Sequence, residues 1–452
     1  MRLIILLLLS ILLPCCSLLE ERYTTPSSPV PLFWPQGEAY RVDTQRGLPI
    51  RDVGWEEFLK DERLKGIVRL TLEKNKDLKI ALLNVERARE LYGARRASLF
   101  PEVYASATVT EQKGRDTQYS TSLGISSWEI DLFGRLRSLK DKALEEFFAT
   151  EYARKSARLS LIASVASAYA NLAADKERLS IARLTYETRR KSYETIKRRY
   201  ETGLSSELDL RTHEALLRSA ELEVERYVQR VAQDENLLNL LVGLTVPSDL
   251  LPSEITSLPF PEEISPSFSS EILLSRPDIL QAEHLLKAAH ANIQVARAAF
   301  FPRITLTTGV GAASTELSSL FKEGTWAFVP NLLQPIFDAS SRRASLKAAK
   351  IEREIALAQY EKAIENAFRE VADTLAEKGA IEAQLRARLE LLETAERAYI
   401  LAKARYEKGI DNYLSVLEAE RTLYAARDGL VALRLAKYLN LVTLYKVLGG
   451  GR

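Results

Sequence analysis

Residues that carry chemistry are scarce in this chain of 452 residues. Its only cysteines, Cys15 and Cys16, sit side by side near the N-terminus, so the body has neither a disulfide framework nor a cysteine metal site. The three histidines, His213, His284 and His290, have no ligand or triad spacing and read as helix-surface residues. A nucleophile with its base, a His/carboxylate metal cluster and a phosphate-binding loop are all missing, which argues against an enzyme and against a bound cofactor or metal. Excess charge is missing too: 63 Lys and Arg stand against 61 Asp and Glu, so no basic surface offers itself to nucleic acid. Glycine and proline are absent from Arg135 to Thr202, and only Gly379 interrupts Ala339 to Lys408. Each run can form one helix of ~100 Å, far beyond the helices of compact domains.

What is present is said twice, about 200 residues apart. Arg199-Tyr200-Glu201-Thr202-Gly203-Leu204 recurs as Arg405-Tyr406-Glu407-Lys408-Gly409-Ile410, and Asn75-Lys76-Asp77-Leu78 as Arg276-Pro277-Asp278-Ile279. Ala97-Ser98-Leu99-Phe100-Pro101 recurs as Ala298-Ala299-Phe300-Phe301-Pro302, and Leu241-Val242-Gly243 as Val447-Leu448-Gly449. Matches in one order at nearly constant offset identify a duplicated unit.

Within each copy, two periods alternate. Val165, Leu172, Leu179, Tyr186, Tyr193 and Tyr200 recur every seven residues, answered by Val371, Leu385, Leu392, Tyr399 and Tyr406 with a break at Lys378. That stripe predicts packing along a coiled-coil seam. Gly203 and Gly409 fit the helix-ending position that wants positive φ, so each long helix should reverse there into a partner. The flanking segments 64–98 and 204–243 would span about 50 and 60 Å and could stack end to end beside the long helix. Between short and long helix the period is two: Val103, Ala105, Ala107 and Val109 alternate with Tyr104, Ser106, Thr108 and Thr110, and the second copy sets Ile304, Leu306 and Val310 against Thr305, Thr307 and Gly309. One apolar and one Ser/Thr/Gly face suit either a membrane barrel with a wet interior or a half-buried soluble sheet. Two hairpins give four strands, whereas a closed membrane barrel needs roughly eight or more, so barrel strands would have to be shared among chains.

The N-terminus begins with one Arg and an apolar run through Leu13, too short to span a bilayer and shaped like a signal peptide. Leu12-Leu13-Pro14-Cys15-Cys16-Ser17 resembles a bacterial lipobox, with Cys16 the better acylation site; Pro14 and Cys15 are unusual there, and a plain secretory signal stays open.

Trp128-Glu129-Ile130-Asp131-Leu132-Phe133-Gly134-Arg135-Leu136-Arg137 resembles the strand-to-helix signature of the outer-membrane factors of tripartite efflux pumps. Cys16-Ser17-Leu18 followed by Tyr23, Pro26 and Pro29-Val30-Pro31 is similar to their lipoprotein N-terminus, and the stretch from Arg405 to Ala419 to their second hairpin tip. The resemblance implies a mainly α fold with a membrane β-barrel: a duplicated helical hairpin plus β-hairpin, assembled as a homotrimer whose twelve strands form one barrel continued by a long α-helical periplasmic tunnel. It implies a passive exit duct in the outer membrane of a diderm bacterium, anchored by lipid on Cys16, with a periplasmic adaptor and an inner-membrane efflux pump as partners. Two departures stand out: Pro335-Ile336-Phe337-Asp338-Ala339-Ser340-Ser341-Arg342 lacks the usual glycines after the Asp, and Glu418 stands where Asp is common.

On this reading 1–15 is the signal peptide, 16–63 a lipidated segment and equatorial wrap, 64–268 the first repeat and 269–452 the second. The first repeat holds strands at 102–111 and 118–127, helices at 135–202 and 204–243, and a proline-rich linker at 245–268. The second holds a helix at 270–299, strands at 303–313 and 324–333, and helices at 339–408 and 410–448. Adaptor contact is expected at Thr202, Gly203, Leu204 and Ser205, and at Lys408, Gly409 and Ile410. Leu414 and Glu418, four apart, share a helix face, and in three copies would give a hydrophobic ring beside a carboxylate ring able to close or filter a pore. Arg405 and Tyr406 would hold the closed tip by interhelix hydrogen bonds. A duct for protein secretion and a non-conducting envelope-spanning lipoprotein are the other readings.

Overall fold

The computed structural model describes residues 23–40, 48–50, 53–265 and 269–451; Cys16 and the segment read as signal peptide lie outside them. In chain order come β1 (Leu48–Pro49), α1 (Trp55–Phe58), α2 (Glu62–Lys74), α3 (Lys76–Ala97), β2 (Val103–Thr110), β3 (Gln118–Glu129), α4 (Arg135–Glu201) and α5 (Glu207–Val242). The second half gives β4 (Ile264–Ser265), α6 (Pro277–Ala298), β5 (Arg303–Ser314), β6 (Gly324–Leu333), α7 (Ser341–Glu407) and α8 (Tyr413–Val447). Both α4 and α7 run 67 residues without a break. None of the described helices is long and apolar enough to cross a membrane.

Two compact units emerge, each drawn from both repeats. One holds 81–154 and 278–363 with the described residues before 30; the other holds 30–80, 155–277 and 364 onward. In the first unit the strands form one antiparallel sheet in the order β2-β3-β5-β6, leaving an edge on β2 and another on β6. Its register aligns Ala105, Leu123, Val310 and Trp326 across one face and Ser106, Ser122, Gly311 and Thr325 across the other. The polar face needs glycine, because a Cβ at Gly311 would lie 2.2 Å from the Thr121 carbonyl oxygen and one at Gly124 2.3 Å from that of Thr308. A bulge follows Ile125, where Ser127 takes φ 52° and its N–H donates to Thr307 Oγ1.

Both long helices are launched by an aspartate. The Asp131 carboxylate accepts from the N–H groups of Leu136 and Arg137, and that of Asp338 from Ser340 and Arg342. The helix expected from 339 starts at Ser341, because Ala339 and Ser340 both sit at positive φ, 51° and 72°. Gly134 takes that region freely at φ 76°, whereas the two L-residues are strained by ~1–2 kcal/mol each. The missing glycines therefore carry a conformational cost, offset in part by Arg342, whose Nε donates to Asp338 Oδ2 at 2.6 Å.

The second unit holds most of the core. Val165, Tyr169, Leu172 and Ala173 of α4 are buried with Leu64 and Ile67 of α2, Val371 and Leu375 of α7, and Leu441 and Leu444 of α8. The segment expected as one helix over 64–98 is broken at Asn75. Its Nδ2 donates to the Leu241 carbonyl at 2.7 Å, while its Oδ1 accepts from Leu78 N–H, so one side chain caps the end of α5 and the start of α3. The second repeat does this with Arg276, whose Nη1 donates to the Val447 carbonyl at 2.6 Å and whose Nη2 reaches Glu370. The helix expected over 270–299 is likewise split, into a 3₁₀ segment Ser270–Ser275 and α6. The linker is no free loop: β4 pairs in parallel with β1, and Ile255, Leu258 and Ile264 are buried.

Beside this core, α5 carries Asp234, one of whose buried carboxylate oxygens has no hydrogen-bond partner among the described residues. Burial first, and Asp175 second, raise its pKa from 3.8 to about 6, against a smaller pull from Arg230. A carboxyl with a raised native pKa binds its proton more tightly in the folded chain, so it favours folding at acid pH, and that contribution is lost as pH climbs from 3.8 to about 6. Asp234→Asn should therefore stabilise the protein near neutral pH, by about 1 kcal/mol or less given solvent screening, and change little below pH ~4. Unfolding followed by circular dichroism at the two pH values checks this; equal effects at both would place the cause elsewhere.

Candidate functional site at the hairpin turns

The repeated Arg-Tyr-Glu-x-Gly phrases end α4 and α7 in the same way. Leu204 N–H returns to the Arg199 carbonyl at 2.7 Å and Gly203 N–H to that of Tyr200 at 2.9 Å; Ile410 and Gly409 repeat this with Arg405 and Tyr406, both at 2.9 Å. These are paired Schellman bonds, and they require the left-handed residue that Gly203 (φ 74°) and Gly409 (φ 71°) supply. No atom lies within 4 Å of a Cβ built on either glycine, so their surroundings are open and conformation alone selects them. The partner helices then start on side-chain caps. Ser206 and Asp209 form a capping box before α5, and Asn412 accepts from Ser415 N–H at the start of α8. The helices expected from 204 and 410 thus start three residues later, at Glu207 and Tyr413, because a turn and a cap must come first.

Thr202, Gly203, Leu204 and Ser205 form the first turn and Lys408, Gly409 and Ile410 the second, with Leu204 and Ile410 strongly exposed. Thr202 Oγ1 bonds back to the carbonyls of Arg198 and Arg199, and Ser205 Oγ to Asp209, so the first turn is hydrogen-bonded although exposed. Arg405 forks onto Asp411 with Nε–Oδ2 2.6 Å and Nη2–Oδ1 3.0 Å. That bond holds the Asp411 carboxyl below its usual range. Within one copy Arg405 thus clamps its own turn. Tyr406 meets α8 through its ring, edge-on to Tyr413 at 5.3 Å.

The first turns of α8 sort their residues by face. Tyr413, Val416, Glu420 and Leu423, spaced three and four apart, point into the protein, whereas Leu414 and Glu418 are exposed on the opposite side. Two ion pairs hold the inward face to the first hairpin. Arg189 of α4 reaches Glu420 at 3.2 Å and also the Leu216 carbonyl of α5, and Arg178 of α4 reaches Asp428 at 3.0 Å. A third tie contains a residue that sequence reading had placed on the surface: His213 of α5 is only 3% exposed, and its ring lies 4.2 Å from that of Tyr413. Burial, then Glu420, push the Tyr413 phenol up to about 12, a hydrogen bond with Ser192 of α4 pulling the other way. His284 is another departure, since its Nδ1 lies 2.6 Å from Glu145 between α6 and α4. Nothing in the sequence spacing marked Asp411, Glu420 or His213. No group of three or more metal-ligating side chains gathers among the described residues.

The duplication, the paired hairpin turns and the open four-stranded sheet have counterparts among known proteins. The family described as outer membrane efflux protein matches residues 67–244 and again 268–450. The toluene efflux pump outer membrane protein TtgC of Pseudomonas putida is 40% identical over 450 residues, covering 96% of this chain and 93% of that one. Outer membrane protein OprJ of Pseudomonas aeruginosa is 36% identical over 459 residues, with 98% and 95% covered. Among solved structures, the open state of the MtrE outer membrane channel of Neisseria gonorrhoeae superposes with a TM-score of 0.87 at 35% identity, covering 95% of this chain and 97% of that one. This chain belongs to the outer membrane efflux protein family and is the outer-membrane channel component of a tripartite efflux system.

Proposed function

We propose that three copies of this chain share one twelve-stranded barrel and that the assembly is a passive exit duct for small molecules, closed at rest by the turn-proximal segment of α8. The observation that carries this is the sheet: four strands whose two outer edges, on β2 and β6, lack partners among the described residues. An open edge in a membrane is untenable, and β6 of one copy pairing with β2 of the next closes the ring. Exposed Leu208, Leu222 and Leu240 on α5 and Ile351 and Ile355 on α7 give neighbouring copies apolar surface to cover. Relatives named for toluene, solvent and antibiotic efflux support small, largely apolar cargo. The duct does no chemistry of its own; the inner-membrane pump supplies the energy, the adaptor engages both turns, and acylated Cys16 adds a second hold on the lipid.

Native mass spectrometry of detergent-extracted protein should give three chains, each heavier by its acyl groups, and Cys16→Ser should keep the trimer but lose that increment. A soluble monomer would remove the shared barrel; an unchanged increment would remove Cys16 as its site.

At the turns, Gly203→Trp or Gly409→Trp puts a bulky L-residue at positive φ and unmakes the paired Schellman bonds. Each should reduce crosslinking to the adaptor with trimer yield unchanged. Full crosslinking in both would place the adaptor contact along the helix sides.

Leu414 is 57% exposed in the single copy, with Glu418 exposed one turn further on, so three copies can bring both to a common axis. Leu414→Ala should raise single-channel conductance in planar bilayers, whereas Glu418→Ala should chiefly abolish block by divalent cations added on the periplasmic side. Wild-type conductance and block in both would assign the constriction to other residues.

A further inference from the structure

We propose that His213 is a positioning residue of the resting gate: by seating Tyr413 it fixes the rotation of α8 about its axis, and so the direction in which Leu414 points. The inference rests on the reading of Leu414 as the constriction and adds the element that aims it.

Several features of His213 converge. It lies on α5, in the first hairpin, while the gate lies on α8, in the second, so it is one of the places where the hairpins of a repeat pair touch. Its Nδ1 lies 2.8 Å from the Asp209 carbonyl one turn earlier, which fixes the ring in place and makes that nitrogen the donor. Nε2 is left buried with no hydrogen-bond partner among the described residues. A buried polar atom without a partner costs free energy, so packing alone is a poor account of histidine at this position. The ring is inclined 38° to that of Tyr413 with centroids 4.2 Å apart, while Tyr406 abuts Tyr413 edge-on from α7. Tyr413 is thus gripped by rings of α5 and α7.

Helix geometry carries this grip to the gate. Tyr413 is the first residue of α8, and Leu414 follows it about 100° further round the axis. A tyrosine held between two rings leaves Leu414 one direction, away from the other hairpin. The ion pairs of α8 with the first hairpin, at Glu420 and Asp428, lie about two and four turns along and place the helix axis. At the level of Leu414 the Asn412 cap and buried Val416 keep the first turn helical and seated, and the ring contacts of Tyr413 tie it to α5 and α7. Beside it lies a cavity of about 730 Å³ lined by His213, Tyr413, Tyr399, Lys191 and Lys403, into which the Tyr413 ring can turn once the histidine is gone.

The test compares single-channel conductance of His213→Ala, His213→Phe, Leu414→Ala and the His213→Ala/Leu414→Ala double variant, with trimer yield measured for each. His213→Ala should raise the open-to-closed ratio roughly three- to tenfold for each copy, the equivalent of losing one aromatic contact in that copy. His213→Phe, which keeps a ring against Tyr413, should restore closure and guards against a variant that merely misfolds. Because the effect passes through Leu414, His213→Ala should add nothing on the Leu414→Ala background. An open Leu414→Ala channel with a wild-type His213→Ala channel would overturn the positioning role and leave the gate standing. Additive effects in the double variant would overturn it as well, by showing that His213 acts on another closure. If Leu414→Ala itself conducts like wild type, the gate reading fails and this inference with it.

Discussion

The architecture depends on one constraint, the obligation to satisfy helix ends that meet other helix ends inside the protein. Short helices abut beside each long one, and at such a joint the last carbonyls of one helix and the first N–H groups of the next would be buried without partners. Asn75 answers this in the first repeat by donating to Leu241 and accepting from Leu78; Arg276 answers it in the second by donating to Val447. The glycine beyond each carbonyl is required as well. Gly243 (φ 84°) would place a Cβ 2.9 Å from the Lys74 carbonyl oxygen, and Gly449 (φ 95°) one 3.3 Å from Arg276 Cγ. Two sequence phrases that recur at a common offset are thus the two halves of one joint. That is why they persisted in both copies while the helices between them drifted.

The exchange of Asn for Arg at this joint has a physical consequence. Asparagine is neutral and satisfies both helix ends by itself. Arginine can only donate, so it takes Glu370 as a partner and leaves the start of α6 to Pro277, which has no N–H to satisfy. Proline after the joint residue in one copy and lysine in the other is therefore a compensating pair of choices. Each repeat reaches the same geometry with a different set of donors.

Much of this was readable from the chain, and the limits of that reading are instructive. Runs without glycine or proline marked both long helices to within two residues, since nothing else interrupts a helix of good formers. Alternation marked the strands, and the register then paired Leu123 with Val310 as the pattern required. The missed features are those in which a side chain does what a backbone usually does. Asn75 broke a helix that periodicity would have carried through, and Ala339 and Ser340 adopted positive φ without the glycine that announces it. At the tip, Arg405 bonds to Asp411 six residues on, a clamp within one turn that no periodicity announces. His213 was passed over because a lone histidine at no recognised spacing usually lies on a helix surface, and burial is a tertiary fact.

Burial is uneven along the two long hairpins, and this bears on how the chain works. The seven-residue stripe is fully buried at Val165, Leu172 and Val371, but at Tyr193, Tyr399 and Tyr406 it is only half-covered, and Tyr200 is exposed. Where the stripe loses its cover, contacts between hairpins change in kind. Near the centre they are aliphatic; toward the turns they are ion pairs such as Arg189–Glu420 and ring contacts such as His213–Tyr413. Aliphatic cores resist rearrangement because separating them exposes apolar surface with nothing to replace it. Ion pairs and ring contacts can exchange one polar or aromatic partner for another, which an aliphatic contact cannot. Moving elements are drawn from regions of low local stability. On the proposed function, a duct sealed at rest and opened by an adaptor would need that combination, a firmly packed middle and ends whose contacts are replaceable.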